Sequence, residues 1–217
     1  MKYLLLLLSF ALATMAFSAK ILVTASESDA EIYSNGQKIG TGSATVLVSK
    51  NSSSLVEVKK VGFLTSTQTF YKKKGMAKPP RTFHFQLVED DSYTSSELNN
   101  LANIDFAVEY KSDLDESEMW RTAVMIVTDF FDVIEVSDKE TLYLRTSWQA
   151  QSFSANTVRT RVILKSGGDG VIKIKLISEY SDSAGTSVKS DQSFKEWDRV
   201  LRKYNNLIPE FQNRLKN

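Results

Sequence analysis

The sequence predicts a β-rich chain of two domains, in which a β-sandwich precedes an α+β domain with an antiparallel sheet and two helices on one face. Three observations lead to this prediction. Short apolar runs separated by turn residues fill residues 20–89. From residue 104 to residue 217, apolar residues recur at helical as well as strand spacing. Between the two patterns, residues 90–103 are rich in Ser, Asn and Asp, which predicts a linker.

The first 19 residues are typical of an export signal. Lys2 supplies a positive charge, and the apolar run from Tyr3 to Phe17 is shorter than the roughly 20 residues that cross a bilayer. Ala16 and Ser18 are small residues at the positions that a signal peptidase inspects, so cleavage is expected after Ser18 or Ala19. No later stretch is as apolar, so no transmembrane segment is expected after signal cleavage.

Cysteine is absent from the sequence, so neither disulfides nor a lipid attached at a cysteine is expected. An exported chain without disulfides favours a bacterial source, and the expected location is the periplasm or cell envelope. Asn51-Ser52-Ser53 would be a glycosylation acceptor in a eukaryote. Residues 20–89 hold ten basic and five acidic residues, whereas residues 90–217 hold sixteen and twenty-one. This balance argues against general nucleic-acid binding, which needs a large positive excess.

The amino-terminal half is predicted to form strands without any helix. The predicted strands are Ile21–Val23, Ala30–Tyr33, Gln37–Ile39, Thr45–Ser49, Leu55–Lys59, Leu64–Tyr71 and Thr82–Val88. Asn35-Gly36 predicts a tight hairpin turn, because both residues tolerate positive φ. In the last strand Phe83 and Phe85 alternate with Thr82 and His84, which predicts one buried and one solvated face.

The stretch from Ala30 to Gly40, followed by an apolar strand and then Lys59-Lys60-Val61-Gly62-Phe63, resembles the PEGA domain of bacterial and archaeal envelope proteins. The chain departs from that family where Glu27-Ser28-Asp29-Ala30 replaces the expected Pro-Glu-Gly-Ala. A generic small β-sandwich is the alternative. The resemblance implies an extracytoplasmic interaction or spacer module without catalysis, and it implies no particular ligand.

The carboxy-terminal domain, predicted over residues 104–217, begins with a strand from Ile104 to Tyr110. Asp115 and Glu118 then predict a capping box for a helix whose apolar stripe is Trp120, Ala123, Val124, Val127, Phe130 and Phe131. Four strands follow, at Val133–Val136, Leu142–Trp148, Val158–Lys165 and Val171–Ser178. Ser193 and Glu196 predict a second capping box, which would open a long helix reaching Leu215, kinked or restarted at Pro209. This order of elements resembles the helix-grip domains of outer-membrane assembly lipoproteins such as BamC.

The sequence offers little for catalysis, and a protein without enzymatic activity or cofactor is expected. His84 is the only histidine, which excludes a histidine-based triad and a multi-histidine zinc site. The acidic residues 113–118 lack the spacing of a calcium loop and are explained by helix capping. Gly40-Thr41-Gly42 lies between strands and is interpreted as a turn. An enzyme that uses only carboxylates, such as Asp105, Glu109 and Asp113, stays open as an alternative.

Two cationic surfaces are predicted. The first is a loop that could contact anionic glycolipid or an acidic protein, formed by Lys72, Lys73, Lys74, Lys78 and Arg81. The second follows from strand parity, which places on one face Tyr143, Arg145, Arg159, Arg161, Lys173 and Lys175. For both surfaces the alternative is ordinary solvated charge, which in the loop would discourage edge-to-edge pairing of strands.

The expected function is therefore that of a non-enzymatic, exported envelope protein acting as a binding or interaction module. The expected partner is an envelope protein or an anionic envelope glycan. The alternative is an accessory or assembly subunit that docks on an outer-membrane or envelope complex.

Overall fold

A computed structural model describes residues 18–216, which divide into two compact units that meet in sequence at Asp90 and Asp91. Residues 1–17 of the predicted export signal lie outside the described residues. Strands account for 47% of the described residues and helices for 18%, so the prediction of a β-rich fold is confirmed. Within residues 18–216, the helices are all too short or too polar to span a membrane.

From residue 18 to residue 90, the amino-terminal unit consists of seven strands and contains no helix. The strands are β1 (Ala19–Ala25), β2 (Glu31–Ser34), β3 (Gln37–Thr41), β4 (Ser43–Val48), β5 (Ser52–Lys59), β6 (Ser66–Lys72) and β7 (Thr82–Phe85). They form one sheet in the order β6-β5-β2-β3-β4-β1-β7. All neighbours are antiparallel except β1 and β7, which are parallel.

This sheet folds back on itself between β3 and β4, which share the single residue pair Thr41 and Ser43. Gly42, between them, has a φ of +67° that favours glycine. Its backbone N–H donates to the Ala30 carbonyl at 2.8 Å. Inward side chains from both halves of the sheet form one cluster, which includes Ile21, Val46, Ile32, Val56 and Phe70. The sheet therefore encloses its own core in two layers.

The hairpin between β2 and β3 is turned by Asn35 and Gly36, as predicted. Their φ angles are +50° and +81°. Positive φ at both central residues is what a tight two-residue turn between antiparallel strands requires. The sequence therefore specifies this turn locally.

The carboxy-terminal unit has nine strands and three α-helices among its residues up to 216. The strands are β8 (Ser96–Leu98), β9 (Asp105–Glu109), β10 (Ile134–Asp138), β11 (Tyr143–Thr146), β12 (Gln149–Ser152), β13 (Thr157–Gly168), β14 (Val171–Ser181), β15 (Lys195–Glu196) and β16 (Arg199–Leu201). The helices are α1 (Asp91–Thr94), α2 (Glu116–Phe130) and α3 (Leu207–Lys216), with short 3-10 helices at Asp191–Ser193 and Arg202–Tyr204. The main sheet is antiparallel and has the order β10-β11-β13-β14-β15, with β12 beside β13 and β9 beside β14.

Helix α2 begins where the sequence predicts, because the Asp115 side chain accepts a hydrogen bond from the Glu118 N–H at 2.8 Å. Its residues Trp120, Ala123 and Val127 are buried. Side chains of α2 and α3 share one cluster with the inward residues of the main sheet, such as Leu164 and Ile174. Both helices therefore cover the same face of that sheet.

The predicted long helix from Ser193 to Leu215 is wrong over its first half. Residues 195–196 form β15 on the edge of β14, and residues 199–201 form β16, which pairs with β8. The Trp197 N–H donates to the Ser178 carbonyl at 2.9 Å. Strand pairing thus takes the backbone hydrogen bonds that a helix would use. The predicted restart at Pro209 agrees with α3, because proline is tolerated in a first helical turn.

The predicted linker at residues 90–103 is wrong from Asp91 onward, because α1 and β8 belong to the carboxy-terminal unit. The Asn103 amide nitrogen donates to the carbonyls of Ser178 at 3.1 Å and Trp197 at 2.8 Å. Its amide oxygen accepts from the Ser178 N–H at 2.9 Å. Ser96 is fully buried. The polar side chains of this segment therefore make internal hydrogen bonds, which the composition alone does not distinguish from solvation.

Candidate functional site

The first predicted surface borders a cleft of about 590 Å³ between the β4–β5 turn and the loop after β6. We call it the lysine cleft. The residues that line it are Ala19, Lys50, Asn51, Lys72, Lys73, Lys74, Met76, Ala77, Lys78 and Pro79. Five of the ten are lysines, and none is acidic. The cleft is therefore cationic at the ammonium groups and apolar along the lysine stems and the residues between them.

Antiparallel pairing of β5 and β6 assembles the lysine cleft. Ser52 lies opposite Lys72, and the Asn51 N–H donates to the Lys72 carbonyl at 2.7 Å. This pairing brings Lys50 beside the predicted loop, although it precedes that loop by more than twenty residues. Sequence inspection missed Lys50 because its position depends on strand register.

Few of these charges are neutralised within the protein. Lys50, Lys73, Lys74 and Lys78 form no ion pair with any residue from 18 to 216. Arg81, which the sequence grouped with them, is not among the lining residues, and its carbonyl accepts from the Leu22 N–H at 2.9 Å. The lysine cleft therefore carries uncompensated positive charge.

The second predicted surface lies on the main sheet of the carboxy-terminal unit, on the face opposite its core, which we call the outer face. Strand parity predicts six residues on this face. Five of them are half-buried: Tyr143, Arg145, Arg161, Lys173 and Lys175. Their neighbours Leu144, Val162 and Ile174 are fully buried in the core. Half-buried Ile163 pairs with Lys175 and shares the outer face.

Arg159, the sixth residue, was predicted to be a solvated cation, and this prediction is wrong. Only 3% of this residue is exposed, because residues 188–194 cross this part of the outer face. Its Nη2 lies 2.6 Å from a Glu179 carboxylate oxygen, and its Nη1 donates at 2.7 Å to both Asp191 and the Val188 carbonyl. Arg159 is therefore a buried structural residue and not part of an accessible surface.

Two aromatic rings and two guanidinium groups form a continuous stack on the outer face. The Arg159 guanidinium carbon lies 4.1 Å from the centre of the Phe194 ring and 4.2 Å from the centre of the Trp148 ring. The guanidinium carbon of Arg161 lies 4.1 Å from the Trp148 ring. Such contacts hold a guanidinium in place by attraction to the ring face. Sequence inspection missed both Trp148 and Phe194.

Arg161 ends this stack and lines a second cleft of about 400 Å³, which we call the arginine cleft. Its lining residues are Glu135, Ser147, Trp148, Arg161, Val188, Lys189 and Asp191. The Nε of Arg161 is buried and has no hydrogen-bond acceptor among residues 18–216. Burial lowers the pKa of Arg161, and the charges of Arg145 and Arg159 lower it further.

Of the three carboxylates considered for catalysis, Asp105 forms an ion pair. A hydrogen bond from Lys165, at 2.7 Å, lowers the pKa of Asp105. Glu109 is four residues away on β9, roughly 13 Å by strand rise, and Asp113 is exposed. In the part of the chain that the structure describes, no group of three His, Cys, Asp or Glu side chains could hold a metal ion. Exposed His84 hydrogen-bonds Thr24 at 2.9 Å.

Comparison with known proteins gives no match to a family model, to a curated protein or to a solved structure. The described residues form a β-rich protein of two units, with a cationic cleft in the amino-terminal unit and a cleft lined by two acidic and two basic residues in the carboxy-terminal unit.

Proposed function

We propose that this chain is a non-enzymatic, exported protein of the bacterial periplasm or cell envelope that binds an anionic envelope glycan through its lysine cleft. The observation that carries this proposal is the convergence of five lysines on a cleft without an acidic lining residue. The exported location rests on the predicted signal segment, since the charge of the cleft suits ligands of several compartments.

The chemistry of the lysine cleft favours an anion that also carries apolar groups. Lysine ammonium groups are flexible point charges, which suit several separate phosphates or carboxylates better than one planar group. Met76, which is 49% exposed, and the neighbouring Ala77 and Pro79 add apolar surface between the charges. A phosphorylated or carboxylated glycolipid combines both features.

Signal cleavage would strengthen this site. Ala19 begins β1 and lines the lysine cleft. If the export signal is removed after Ser18, the new α-amino group belongs to Ala19 and adds positive charge at the cleft. Maturation would then raise the affinity for an anionic ligand.

A PEGA-like identity for the amino-terminal unit is part of the proposal. Supporting it, the two parts of the resembling sequence meet in space, because Glu31 of β2 lies opposite Lys59 of β5. The Lys60 ammonium group also lies 2.7 Å from a Glu27 carboxylate oxygen and 2.8 Å from one of Asp29. Glu27 and Asp29 belong to the stretch that departs from the family motif. An ion pair thus joins the loop before β2 to the segment after β5.

Docking on an envelope complex is the second candidate function. The outer face favours it, because Lys173 and Lys175 make no ion pair with residues 18–216 and flank half-buried apolar Ile163. Such a mixed surface suits a protein partner. The lowered pKa of Asp105 argues against that carboxyl group as a general acid, which needs a raised pKa.

The experiment uses residues 19–217 and phosphatidylcholine vesicles with or without lipopolysaccharide, an anionic envelope glycolipid. Binding is measured by co-sedimentation at low and high salt. We expect the double variant Lys73→Glu/Lys74→Glu to bind the lipopolysaccharide vesicles at least about tenfold more weakly, since charge reversal opposes the attraction. Lys111→Glu/Lys139→Glu makes the same change of charge at exposed positions of the other unit and is the control. Equal loss in both variants, or binding insensitive to salt, would contradict the lysine cleft as the site.

A further inference from the structure

The charges that line the arginine cleft are unbalanced once their internal partners are assigned. Two acids and two bases line it. The Glu135 carboxylate pairs with Arg145 at 3.1 Å, and that of Asp191 pairs with Arg159 at 2.7 Å. Both acids are therefore engaged by arginines that do not line the cleft. Arg161 and Lys189 form no ion pair of their own with residues 18–216, although the charges of Glu179 and Glu135 act on Arg161.

The Arg161 guanidinium is held in place before any ligand arrives. Arg161 lies opposite Ile177 in the long β13–β14 pairing, which fixes its backbone. Its guanidinium stacks on Trp148, which Arg159 contacts in turn. A guanidinium with a fixed plane loses little conformational freedom on binding, so its contacts contribute more to affinity.

Arg161 also lacks an acceptor. Its Nε is buried without a hydrogen-bond partner, and a buried donor in that state is costly. A ligand oxygen would satisfy the donor and supply the missing negative charge. Burial is the main cause of the lowered pKa of Arg161, and the charges of Arg145 and Arg159 add to it, whereas those of Glu179 and Glu135 oppose it.

The acids at the cleft restrict which anions fit. The side chain of Asp191 is 81% exposed and that of Glu135 is 47% exposed, so both repel an anion with several charges. A single carboxylate matches the planar fork of a guanidinium, with two oxygens facing two N–H groups. Trp148 already stacks on two guanidinium groups, which leaves it poorly placed to stack on a sugar ring.

We propose that the arginine cleft binds the single carboxylate of a peptide, with Arg161 as the principal ligand-binding residue and Lys189 and Ser147 as supporting donors. The volume of about 400 Å³ accommodates a terminal or side-chain carboxylate with the residue that carries it. This site belongs to the carboxy-terminal unit, and its ligand class differs from that of the lysine cleft. The two proposals are therefore independent, and a result that contradicts one leaves the other unaffected.

The test follows the Nε–Hε signals of the arginines in residues 19–217 labelled with ¹⁵N. The Arg161 signal is assigned by its disappearance in Arg161→Lys. The probe is the tripeptide Ala-Ala-Ala, N-acetylated and with a free carboxylate, and the reference is the same peptide with an amidated carboxy terminus. We expect the free carboxylate to move the Arg161 signal to lower field in a saturable way, whereas the amidated peptide leaves it unmoved.

Variants separate this site from general electrostatic attraction. We expect Arg161→Lys to weaken binding of the tripeptide at least tenfold, followed through the backbone amides of residues 147 and 188. Lys111→Ala removes an exposed cation of the same unit that does not line the cleft and should leave binding unchanged. Equal binding by Arg161→Lys would overturn the proposal, as would equal shifts from the amidated peptide. If inorganic phosphate binds as tightly as the tripeptide, the assignment to a carboxylate is wrong.

Discussion

Arg159 and Glu179 lie opposite each other on β13 and β14, and their side chains form an ion pair of 2.6 Å. Because Arg159 is buried and also pairs with Asp191, its truncation leaves acceptors without donors and a space between two rings. We expect Arg159→Ala to destabilise the carboxy-terminal unit by about 3 kcal/mol. All three tryptophans lie after residue 103, so tryptophan fluorescence during urea unfolding reports on this unit.

Arg145→Ala is the matched control on the same face. Its ion pair with Glu135 is largely solvated, with side-chain exposures of 33% and 47%. Exposed pairs contribute about 0.2–1 kcal/mol. A similar loss of stability in both variants would contradict the structural role of Arg159. Because Arg159 is buried, we expect that reversing the charges of Arg159 and Arg161 together unfolds the unit, whereas strand parity alone predicts a mild effect.

The segment 91–103 is expected to be necessary for the carboxy-terminal unit. The segment contains β8, which pairs with β16. In addition, the Arg199 side chain donates to the carbonyls of Tyr93 at 3.1 Å and Ser96 at 2.9 Å. We therefore expect the fragment 91–217 to fold alone and the fragment 104–217 to unfold at a clearly lower temperature. Circular dichroism during heating measures the difference. Equal midpoints for the two fragments would restore the interpretation of this segment as a linker.

Gly42 and Gly36 provide a matched pair in the amino-terminal unit. Both have positive φ, so alanine at either position is strained by about 1–2 kcal/mol. A Cβ at Gly36 would meet no atom within 4 Å, whereas one at Gly42 would lie 2.4 Å from the Ser28 carbonyl oxygen. We expect Gly42→Ala to destabilise the unit well beyond Gly36→Ala in chemical denaturation followed by circular dichroism. Equal losses would show that the loop before β2 yields to accommodate the methyl group.

Elements whose cause is local were predictable from the sequence. The Asn35-Gly36 turn and the Asp115 cap depend on residues within a few positions of each other, and both are confirmed. The helix predicted after Ser193 failed because apolar residues at helical spacing also suit short strands followed by a 3-10 turn. Pairing with β8, about a hundred residues earlier in the chain, decided the outcome.

The candidate sites divide in the same way. Parity is a local property of a strand, so the direction of Arg159 and Arg161 away from the core was predictable. The burial of Arg159 depends on Asp191 and Phe194, more than thirty residues later, and no local pattern encodes that contact. Lys50 lines the lysine cleft because of the register between β5 and β6, which local sequence does not encode either.

Tyr204 should make the carboxy-terminal unit sensitive to alkaline pH. Its ring stacks on Phe131, with centroids 4.9 Å apart and planes 7° apart, and its hydroxyl donates to Gln149 at 2.7 Å. Burial, and after it the charge of Asp132, raises the pKa of Tyr204 to about 12 from an ordinary value of 10.0. The folded state therefore favours the neutral phenol.

The sign of the effect follows from this raised pKa. The contribution of Tyr204 to stability is complete below pH 10.0 and is lost as the pH rises through about 12. We expect urea unfolding, followed by tryptophan fluorescence, to show stability falling with pH in this window more steeply for the wild type than for Tyr204→Phe. Tyr143→Phe, on the outer face of the main sheet, controls for the loss of a phenol. If the free energy of unfolding falls equally steeply with pH in the wild type and in Tyr204→Phe, the buried phenol does not control alkaline unfolding.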